Sequence, residues 1–411
     1  MIHLGLLIFL SLAWPIGLLG DAKATLRISK DFPGRLRVFL SGTGKATQET
    51  EKFLSILGRD LNYSGYFNVS VKNFVSPDRM STLKLEAKGY DLLCFIEKQP
   101  EKIRLVAQET VGWEMLFESS YSGQELSSQL SHQVADDLVL ALIGRPGIAQ
   151  SQICLVALDN NNKEQIFIVD YDGENLTPVT RTPDKKLFPR WLPGKIGLFF
   201  LSVRVNRIEA ARLIFPTREI QVLPLSFLAG ALLPNPRYPE ILGVLSHEGN
   251  PEIYRIDWPS LASQRLTFSR FIDTSPTFSP DGEQVIFVSD RTGQPRLYLM
   301  TRTGSQLRPL KEIDFDCYSP DWSPDGTTLC FTAIRGGEKN LAIYDFSERK
   351  IRWLPTVGEV SHPSWAPNSR HLVYACAQGG KSQLFVLDVV SGEIRRLISS
   401  ESQPHSPSWS R

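Results

Sequence analysis

The chain has 411 residues, of which 42% are hydrophobic and 22% charged, a composition typical of globular proteins with more than one domain. Its formal net charge is +1, from 45 basic and 44 acidic residues, and no stretch is strongly of one sign. This balance gives no electrostatic basis for binding nucleic acid or an anionic membrane surface. We therefore expect two domains and no nucleic-acid partner.

Residues 1–24 differ from the rest of the chain, because Leu4–Leu19 is apolar apart from Ser11. Together with a small-x-small cleavage site at Ala22-Lys23-Ala24, this segment predicts a secretory signal peptide and a mature chain that begins at Thr25. A transmembrane anchor is the alternative, although the apolar run of about 16 residues is shorter than the roughly 20 that a span needs. The segment therefore predicts an exported protein.

Residues 25–145 show alternating strand and helix patterns and contain no repeat. The predicted strands are Arg35–Leu40, Phe67–Val71, Asp91–Ile96 and Lys102–Ala107, and the predicted helices are Thr47–Asn62 and Gln124–Ile143. Leu130, Val134 and Leu138 recur at helical spacing in the last of these. Gly144-Arg-Pro-Gly147 then interrupts the pattern as a hinge. We expect a small α/β domain here.

From residue 146 onward, one phrase recurs at a fixed interval. Its clearest copy is Ser319-Pro-Asp-Trp-Ser-Pro-Asp-Gly326, and the first prolines of four copies, Pro276, Pro320, Pro363 and Pro407, lie about 44 residues apart. Earlier copies at Pro189 and, in degraded form, at Pro234 bring the number to six. The copy at Pro276 is followed by predicted strands at Gln284–Ser289, Arg296–Met300 and Gln306–Leu310. A repeat of roughly 40–45 residues built from short strands predicts a six-bladed, WD40-like β-propeller at 146–411.

The last copy of the phrase ends at Ser410 with no strands behind it. Three strands without a phrase in front of them stand at the other end of the repeat region, at Gln152–Ala157, Gln165–Val169 and Asn175–Val179. We expect the C-terminal strand to complete this first blade, because such closure leaves no exposed sheet edge. The predicted fold class is therefore a small α/β N-terminal domain followed by an all-β propeller.

The sequence contains no catalytic signature and predicts no cofactor. Ser41-Gly-Thr-Gly-Lys45 fails the phosphate-loop pattern, and Asp170-Tyr-Asp-Gly173 fits a hairpin turn better than a calcium loop. No Gly-x-Ser-x-Gly or His-Glu-x-x-His occurs. The five cysteines lack C-x-x-C spacing, and their odd number argues against a complete disulfide framework. Cys154, Cys330 and Cys376 fall in second strands of blades and are interpreted as buried structural thiols. We expect a non-enzymatic protein without a bound metal.

The loops that precede each phrase are expected to emerge on one face of the ring, beside the channel. Their polar, aromatic and imidazole side chains suit contact with a protein partner. The candidate residues at this channel mouth are Thr274, Ser275, Asp316, Tyr318, His362 and His405. Ordinary solvated turns are one alternative, and metal binding by the two histidines is another. The rival function is a hydrolase or lactonase with a metal in the channel. It would need several inward carboxylates at one ion, whereas the rim offers Asp273, Asp314 and Asp316 only on neighbouring blades.

Four stretches carry a family resemblance. The most specific is His132-Gln-Val-Ala-Asp-Asp-Leu-Val-Leu-Ala-Leu-Ile-Gly-Arg-Pro-Gly147, and the others are Arg59-Asp-Leu-Asn-Tyr-Ser-Gly-Tyr-Phe67, Gly89-Tyr-Asp91 and Val169-Asp-Tyr-Asp-Gly173. With the propeller phrases, they make the chain resemble the TolB family, the periplasmic component of the Tol–Pal system. The resemblance covers nearly the whole mature chain.

This resemblance implies a monomeric periplasmic scaffold, peripheral to the membrane, that supports outer-membrane integrity, protein import and envelope constriction during cell division. Its implied partner at the channel mouth is the peptidoglycan-associated lipoprotein Pal, and Thr274 stands where the family has a Pal-contacting threonine. TolA and other inner-membrane Tol proteins are implied partners of the mature N-terminus. There Leu26, Arg27 and Ile28 alternate as an added strand requires, so Thr25–Lys30 is expected either to dock or to be released, with simple fraying as the alternative.

Overall fold

The structure is a computed structural model that describes residues 23–24, 34–43, 47–72, 80–99, 101–122, 125–205 and 207–411. These residues belong to two compact units that divide after Gly144. The predictions for Leu26, Arg27 and Ile28, and nearly all of the predicted signal peptide, lie outside the described residues. Within the described ranges, no helix combines the length and the apolar character needed to cross a membrane.

The N-terminal unit is a six-stranded mixed sheet with three helices. Its strands are β1 (Lys23–Ala24), β2 (Leu36–Thr43), β3 (Phe67–Val71), β4 (Leu92–Lys98), β5 (Lys102–Glu109) and β6 (Met115–Ser122). The helices are α1 (Gln48–Tyr63), α2 (Met80–Glu86) and α3 (Ser128–Ile143). The strand order is β1-β6-β5-β4-β2-β3, in which β2 pairs in parallel with both β3 and β4. This unit confirms the predicted α/β class.

Local capping explains where the two long helices begin and end. The side chain of Thr47 forms a capping box with Thr50 at the start of α1. The side chain of Ser127 accepts a hydrogen bond from the amide of Leu130, so α3 begins at Ser128 and not at Gln124 as predicted. Gly144 ends α3 in a left-handed conformation, with φ of 72°. The sequence prediction also missed α2 and β6.

The C-terminal unit is a propeller of six four-stranded antiparallel sheets. Blade 1 consists of β30 (His405–Trp409), β7 (Gln152–Leu158), β8 (Glu164–Asp170) and β9 (Thr177–Pro178). Blade 2 consists of β10 (Lys185–Trp191), β11 (Gly197–Arg204), β12 (Arg207–Ile214) and β13 (Glu219–Leu223). Blade 3 consists of β14 (Leu228–Pro234), β15 (Glu240–Leu245), β16 (Glu252–Asp257) and β17 (Ser263–Arg265).

The remaining blades follow the same order from the inner to the outer strand. Blade 4 consists of β18 (Asp273–Phe278), β19 (Gln284–Ser289), β20 (Arg296–Thr301) and β21 (Arg308–Pro309). Blade 5 consists of β22 (Cys317–Trp322), β23 (Thr328–Arg335), β24 (Glu338–Asp345) and β25 (Lys350–Trp353). Blade 6 consists of β26 (Glu359–Trp365), β27 (His371–Gln378), β28 (Lys381–Asp388) and β29 (Ile394–Ile398). Short 3-10 helices lie at Pro193–Lys195 and Ser400–Ser402.

The six inner strands β10, β14, β18, β22, β26 and β30 form a closed ring, because each contacts the inner strands of both neighbouring blades. The predicted closure is confirmed: β30 pairs with β7, and Trp409 stands opposite Ile153. The hydrophobic core lies between blades, as where Leu299 of blade 4 packs in one cluster with Trp322 and Phe331 of blade 5. All five cysteines are buried and unpaired, which confirms the prediction made for Cys154, Cys330 and Cys376.

Tryptophans of the phrase link one blade to the next by hydrogen bonds. The Trp365 indole donates to the carbonyl oxygen of Asp321 on the preceding blade over 3.1 Å. The Trp191 indole donates to the carbonyl oxygen of Ser408 over 3.0 Å. The backbone amide of Trp409 donates to Ser364 Oγ over 3.0 Å. These bonds hold the inner strands, and therefore the loops above them, in fixed positions.

Candidate functional site

All six inner strands carry a bulge against their second strand, and in five of them it contains a left-handed residue. The residue directly before the phrase proline has φ close to +50° in each of the five: Phe188, Ser275, Ser319, His362 and Ser406. A residue before proline ordinarily adopts extended backbone, so this left-handed conformation is strained and is held by the surrounding ring. We define the channel mouth as the end of the ring where the inner strands begin. The strained residues lie at this end, where the bulges change the direction of the neighbouring side chains.

The six predicted mouth residues lie on four neighbouring blades. Thr274 and Ser275 are in β18, Tyr318 is in β22 with Asp316 just ahead of it, His362 is in β26, and His405 begins β30. All six are half-buried. The structure therefore brings them to the same end of adjacent inner strands. Their role in binding a partner stays a prediction.

Arginines pair with the carboxylates of this region. Arg296 Nη1 donates to Asp316 Oδ1 over 2.7 Å, and the exposed Asp314 lies 3.5 Å from the same guanidinium. The fully buried Asp273 accepts two hydrogen bonds from Arg291 Nη2, of 3.0 and 2.9 Å. Across the described ranges, no group of three or more His, Cys, Asp or Glu side chains could hold a metal ion.

Two histidines give the mouth a neutral, hydrogen-bonding character. The His362 ring lies 6.2 Å from the Phe188 ring, centroid to centroid. Burial, with smaller contributions from Arg190 and His405, lowers the pKa of His362 to about 4. Burial also lowers the pKa of His405, although Glu164, 3.7 Å away, opposes the shift. Both rings are therefore expected to be uncharged near neutral pH.

The tyrosine at the mouth combines apolar area with a polar tip. Tyr318 is half-buried in β22, opposite Thr332 of β23. Burial raises the pKa of its hydroxyl, and the nearby Asp316 carboxylate raises it further. The hydroxyl is therefore protonated near neutral pH and can donate a hydrogen bond. This is the chemistry that anchoring residues of protein interfaces commonly use.

The sequence reasoning missed an apolar rim at the mouth end of blades 3 and 4. It comprises Phe227, Phe268, Phe271 and Ile272, whose exposed fractions are 58%, 77%, 39% and 46%. These residues lie in the connections between β13 and β14 and between β17 and β18. Phe227 packs on His247 at 4.6 Å between ring centroids. The available signal was large apolar residues in loops expected to be polar, and such exposed groups often mark interaction surfaces.

Comparison with known proteins gives a consistent family match. Residues 140–411 match the TolB beta propeller domain family. The chain is 32% identical over 197 residues to a TolB homologue from Chlorobium luteolum, covering 47% of this chain and 44% of the relative. It is 27% identical over 284 residues to the Tol-Pal system protein TolB of Bordetella pertussis, covering 64% of this chain and 65% of that protein. Each alignment thus spans less than two thirds of the relative.

A solved structure extends the similarity to both units. The crystal structure of TolB from Acinetobacter baumannii superposes with a TM-score of 0.81 at 23% identity. The match covers 92% of this chain and 96% of that one. At 23% identity, this superposition shows that the two proteins share the fold of the N-terminal unit and of the propeller.

Proposed function

The chain belongs to the TolB β-propeller family, and from this membership we propose that it is a non-enzymatic scaffold of the Tol–Pal system in the periplasm. In this proposal it binds a Pal-type peptidoglycan-associated lipoprotein at the channel mouth and supports outer-membrane integrity and envelope constriction. A predicted signal peptide at residues 1–24 would export it. Family membership supports this role, because the relatives that share the propeller carry the TolB name.

The observation that carries the proposed docking site is the ring of bulged inner strands. Four neighbouring strands present Ser275, Tyr318, His362 and His405 at one end, and the hydrogen bonds between blades fix those strands in place. A partner can therefore contact several blades without ordering a mobile loop. Such preorganisation lowers the entropic cost of association and favours specific binding.

Tyr318 is the proposed central anchor. It is half-buried before any partner binds, so little side-chain freedom remains to be lost. Its neighbour Asp316 is held by Arg296 and cannot easily turn away from the mouth. Thr274, on the adjacent blade, would contribute a hydroxyl that a branched apolar side chain could not replace. Truncation of the anchor should cost more affinity than truncation of a residue at the edge.

The test is a binding titration with the soluble domain of a Pal-type lipoprotein. Tyr318→Ala should weaken binding by about 30-fold, the equivalent of roughly 2 kcal/mol, and Thr274→Ile should weaken it less. Tyr238→Ala is the matched control, because Tyr238 lies in the turn between β14 and β15 at the opposite end of the inner strands. Wild-type affinity in both mouth variants, with folding intact, would place the partner elsewhere.

We further propose that Leu26, Arg27 and Ile28 form a strand that pairs with TolA or another inner-membrane Tol protein. The proposal rests on their alternating pattern and on the use of strand addition by many peptide-binding proteins. Deletion of residues 25–30 should abolish capture of such a protein from envelope extract while leaving Pal binding unchanged. Equal capture by the shortened chain would reject this role.

A further inference from the structure

Arg190 of blade 2 lies on the inner strand that borders the channel. It follows the bulged Phe188 by two residues on β10, and blade 2 stands opposite blade 5 in the ring. Its guanidinium is nevertheless within electrostatic range of Asp321 on blade 5, and it also acts on His362 of blade 6. Two residues earlier on the same strand, the Phe188 ring lies 6.2 Å from the ring of His362 on blade 6, centroid to centroid. Blade 1 separates blades 6 and 2 in the ring, so this part of β10 faces the channel.

This arginine lacks a carboxylate partner within 4.0 Å among the residues that the structure describes. Its Nη1 donates to the adjacent carbonyl oxygen of Pro189 over 2.9 Å. Asp321 does not reach it, because Asp321 binds Arg411 and accepts the backbone amide of Trp365 over 2.8 Å. Burial accordingly lowers the pKa of the Arg190 guanidinium. A desolvated cation of this kind is costly unless an anion compensates it.

Three other half-buried arginines of the propeller do have such partners. Arg291 binds Asp273, Arg296 binds Asp316 at 2.7 Å, and Arg370 binds Asp388 at 2.8 Å. Arg190 is half-buried like these three. Arg212, also half-buried, has no carboxylate within 4.0 Å among the described residues, but its Nε donates to Gln221 Oε1 over 2.7 Å and its guanidinium lies over the Trp258 ring. Within the same ranges, Arg190 has only the neighbouring carbonyl oxygen, and this difference points to a missing anion.

A second polar group in the same part of the channel is also unsatisfied. His362 Nδ1 is buried, and it has no hydrogen-bond partner within the described ranges. Arg190 acts on this ring directly, since it contributes to the lowered pKa of His362. A neutral imidazole that carries its proton on Nδ1 could donate to an oxygen beside it. The channel thus holds two neighbouring groups that an oxyanion would satisfy.

We propose that the propeller channel is an oxyanion-binding site in which Arg190 binds a carboxylate or phosphate group. The guanidinium fork matches either group through two parallel hydrogen bonds. The anion could be a free phosphate, or it could be the carboxylate of an acidic side chain that a docked protein inserts through the mouth. The site exists whichever protein docks there, so the inference does not depend on the proposed Pal partner.

The test is thermal unfolding of the full chain with inorganic phosphate or with N-acetylglutamate amide, each against sodium chloride at equal ionic strength. A saturable rise in Tm of about 2–4 °C is expected for wild type with at least one probe. Arg190→Gln should lose the rise. The control Arg349→Gln should keep it, because Arg349 is 73% exposed on the propeller surface. A response to phosphate identifies a free phosphate site, and a response to the glutamate probe identifies a side-chain carboxylate site.

A folding defect in the Arg190 variants can be distinguished from the loss of anion binding. Arg190→Gln removes an uncompensated charge, so without added anion its Tm should equal or exceed that of wild type. Arg190→Lys keeps the charge and loses the fork, and its response should fall at least severalfold without vanishing. The proposal is overturned if wild type responds to neither probe, or if the glutamine variant responds as wild type does.

Discussion

Blades 5, 6 and 1 are joined differently from blade 3. In the first group one hydrogen bond repeats: the backbone amide of the tryptophan donates to a side-chain oxygen on the inner strand of the preceding blade. Trp365 donates to Asp321 over 2.8 Å, and Trp409 donates to Ser364 over 3.0 Å.

The structure corrects the sequence alignment of blade 3: Pro234 stands opposite Ile241 as Trp365 stands opposite Leu372, so it takes the place of the tryptophan and not of the phrase proline. Proline has no amide proton to donate to blade 2. The repeated bond is therefore impossible there.

At its other junction, with blade 4, blade 3 has a buried polar cluster. Asn235 Nδ2 donates to Glu240 Oε1 over 2.8 Å and to the carbonyl oxygen of Gly282 on blade 4 over 3.0 Å. Arg302 of blade 4 lies 3.3 Å from Glu240. The difference shows that the ring requires satisfied polar groups between blades and tolerates more than one way of supplying them.

The largest effect on the tryptophan-linked blades is expected at the closing strand β30. Trp409→Ala should destabilise the propeller by about 3–5 kcal/mol, because it empties a buried site and removes the indole donor to Ser151 Oγ. Chemical denaturation measures the change in the free energy of unfolding. Trp409→Phe keeps most of the volume and should cost less. An alanine variant within about 1 kcal/mol of wild type would mean that this tryptophan contributes little to closure.

Gly282 tests the polar cluster between blades 3 and 4. A Cβ at this position would lie 2.2 Å from Asn235 Oδ1, and the backbone has φ of 74°. Gly282→Ala should therefore cost about 2–3 kcal/mol, through backbone strain and disruption of the Asn235 bonds. Gly249→Ala is the matched control, with φ of 83° and nothing within 4 Å. Equal losses of unfolding free energy in both variants would show that the Asn235 cluster can rearrange around the new methyl group without destabilising the protein.

A smaller effect is expected from one bond of the repeated set. Ser364→Ala removes the acceptor of the Trp409 amide and should cost about 1–2 kcal/mol, because the amide stays buried without that partner. Ser260→Ala, at an exposed turn of blade 3, should change stability by less than about 0.5 kcal/mol. Comparison of the two denaturation midpoints measures the contribution of the bond. Loss in the control alone would contradict the proposed linkage.

The mildest expected effect is a pH dependence at the mouth of blade 6. Burial lowers the pKa of His362 to about 4, below its ordinary 6.5, so the unfolded chain takes up the proton first as the solution is acidified. Stability from the neutral ring is present above pH 6.5 and is lost as pH falls from 6.5 toward 4, by about 1 kcal/mol after allowance for channel water.

Urea denaturation between those two pH values measures this loss. His362→Asn should flatten the profile, and asparagine tolerates the left-handed backbone at this position. The exposed His247→Asn serves as the control and should keep the wild-type slope. A slope unchanged by His362→Asn would assign the acid sensitivity to other groups.

The sequence predicts most of the fold because its signals are local. The recurring prolines and Pro-Asp-Gly turns set the blade number, and helical spacing identifies α3. In contrast, α2 is only seven residues long and buries Leu83 alone, which leaves too short an apolar stripe to recognise. The left-handed residue before each phrase proline opposes its local preference, so only the assembled ring can impose it.

The candidate site is predicted less completely than the fold. Loop order places Thr274, Tyr318 and His362 at one face, but the arginine partners come from other strands. Arg291 binds Asp273 from 18 residues away and Arg296 binds Asp316 from 20 residues away, separations that sequence spacing does not identify. The unpaired state of Arg190 is likewise visible only once the opposite blades are in place.

The pairing of β30 with β7 also affects how the protein reaches its final state. Gln152 and Ser410, which are hydrogen-bonded in blade 1, are 258 residues apart in the chain. Strands β7, β8 and β9 can pair early with one another, but the inner edge of β7 stays open until the last strand arrives, and long-range pairing of this kind is slow. During that interval the open edge can accept the equivalent strand of a second copy. Refolding at high protein concentration should therefore produce strand-exchanged dimers, which dilution during folding would suppress.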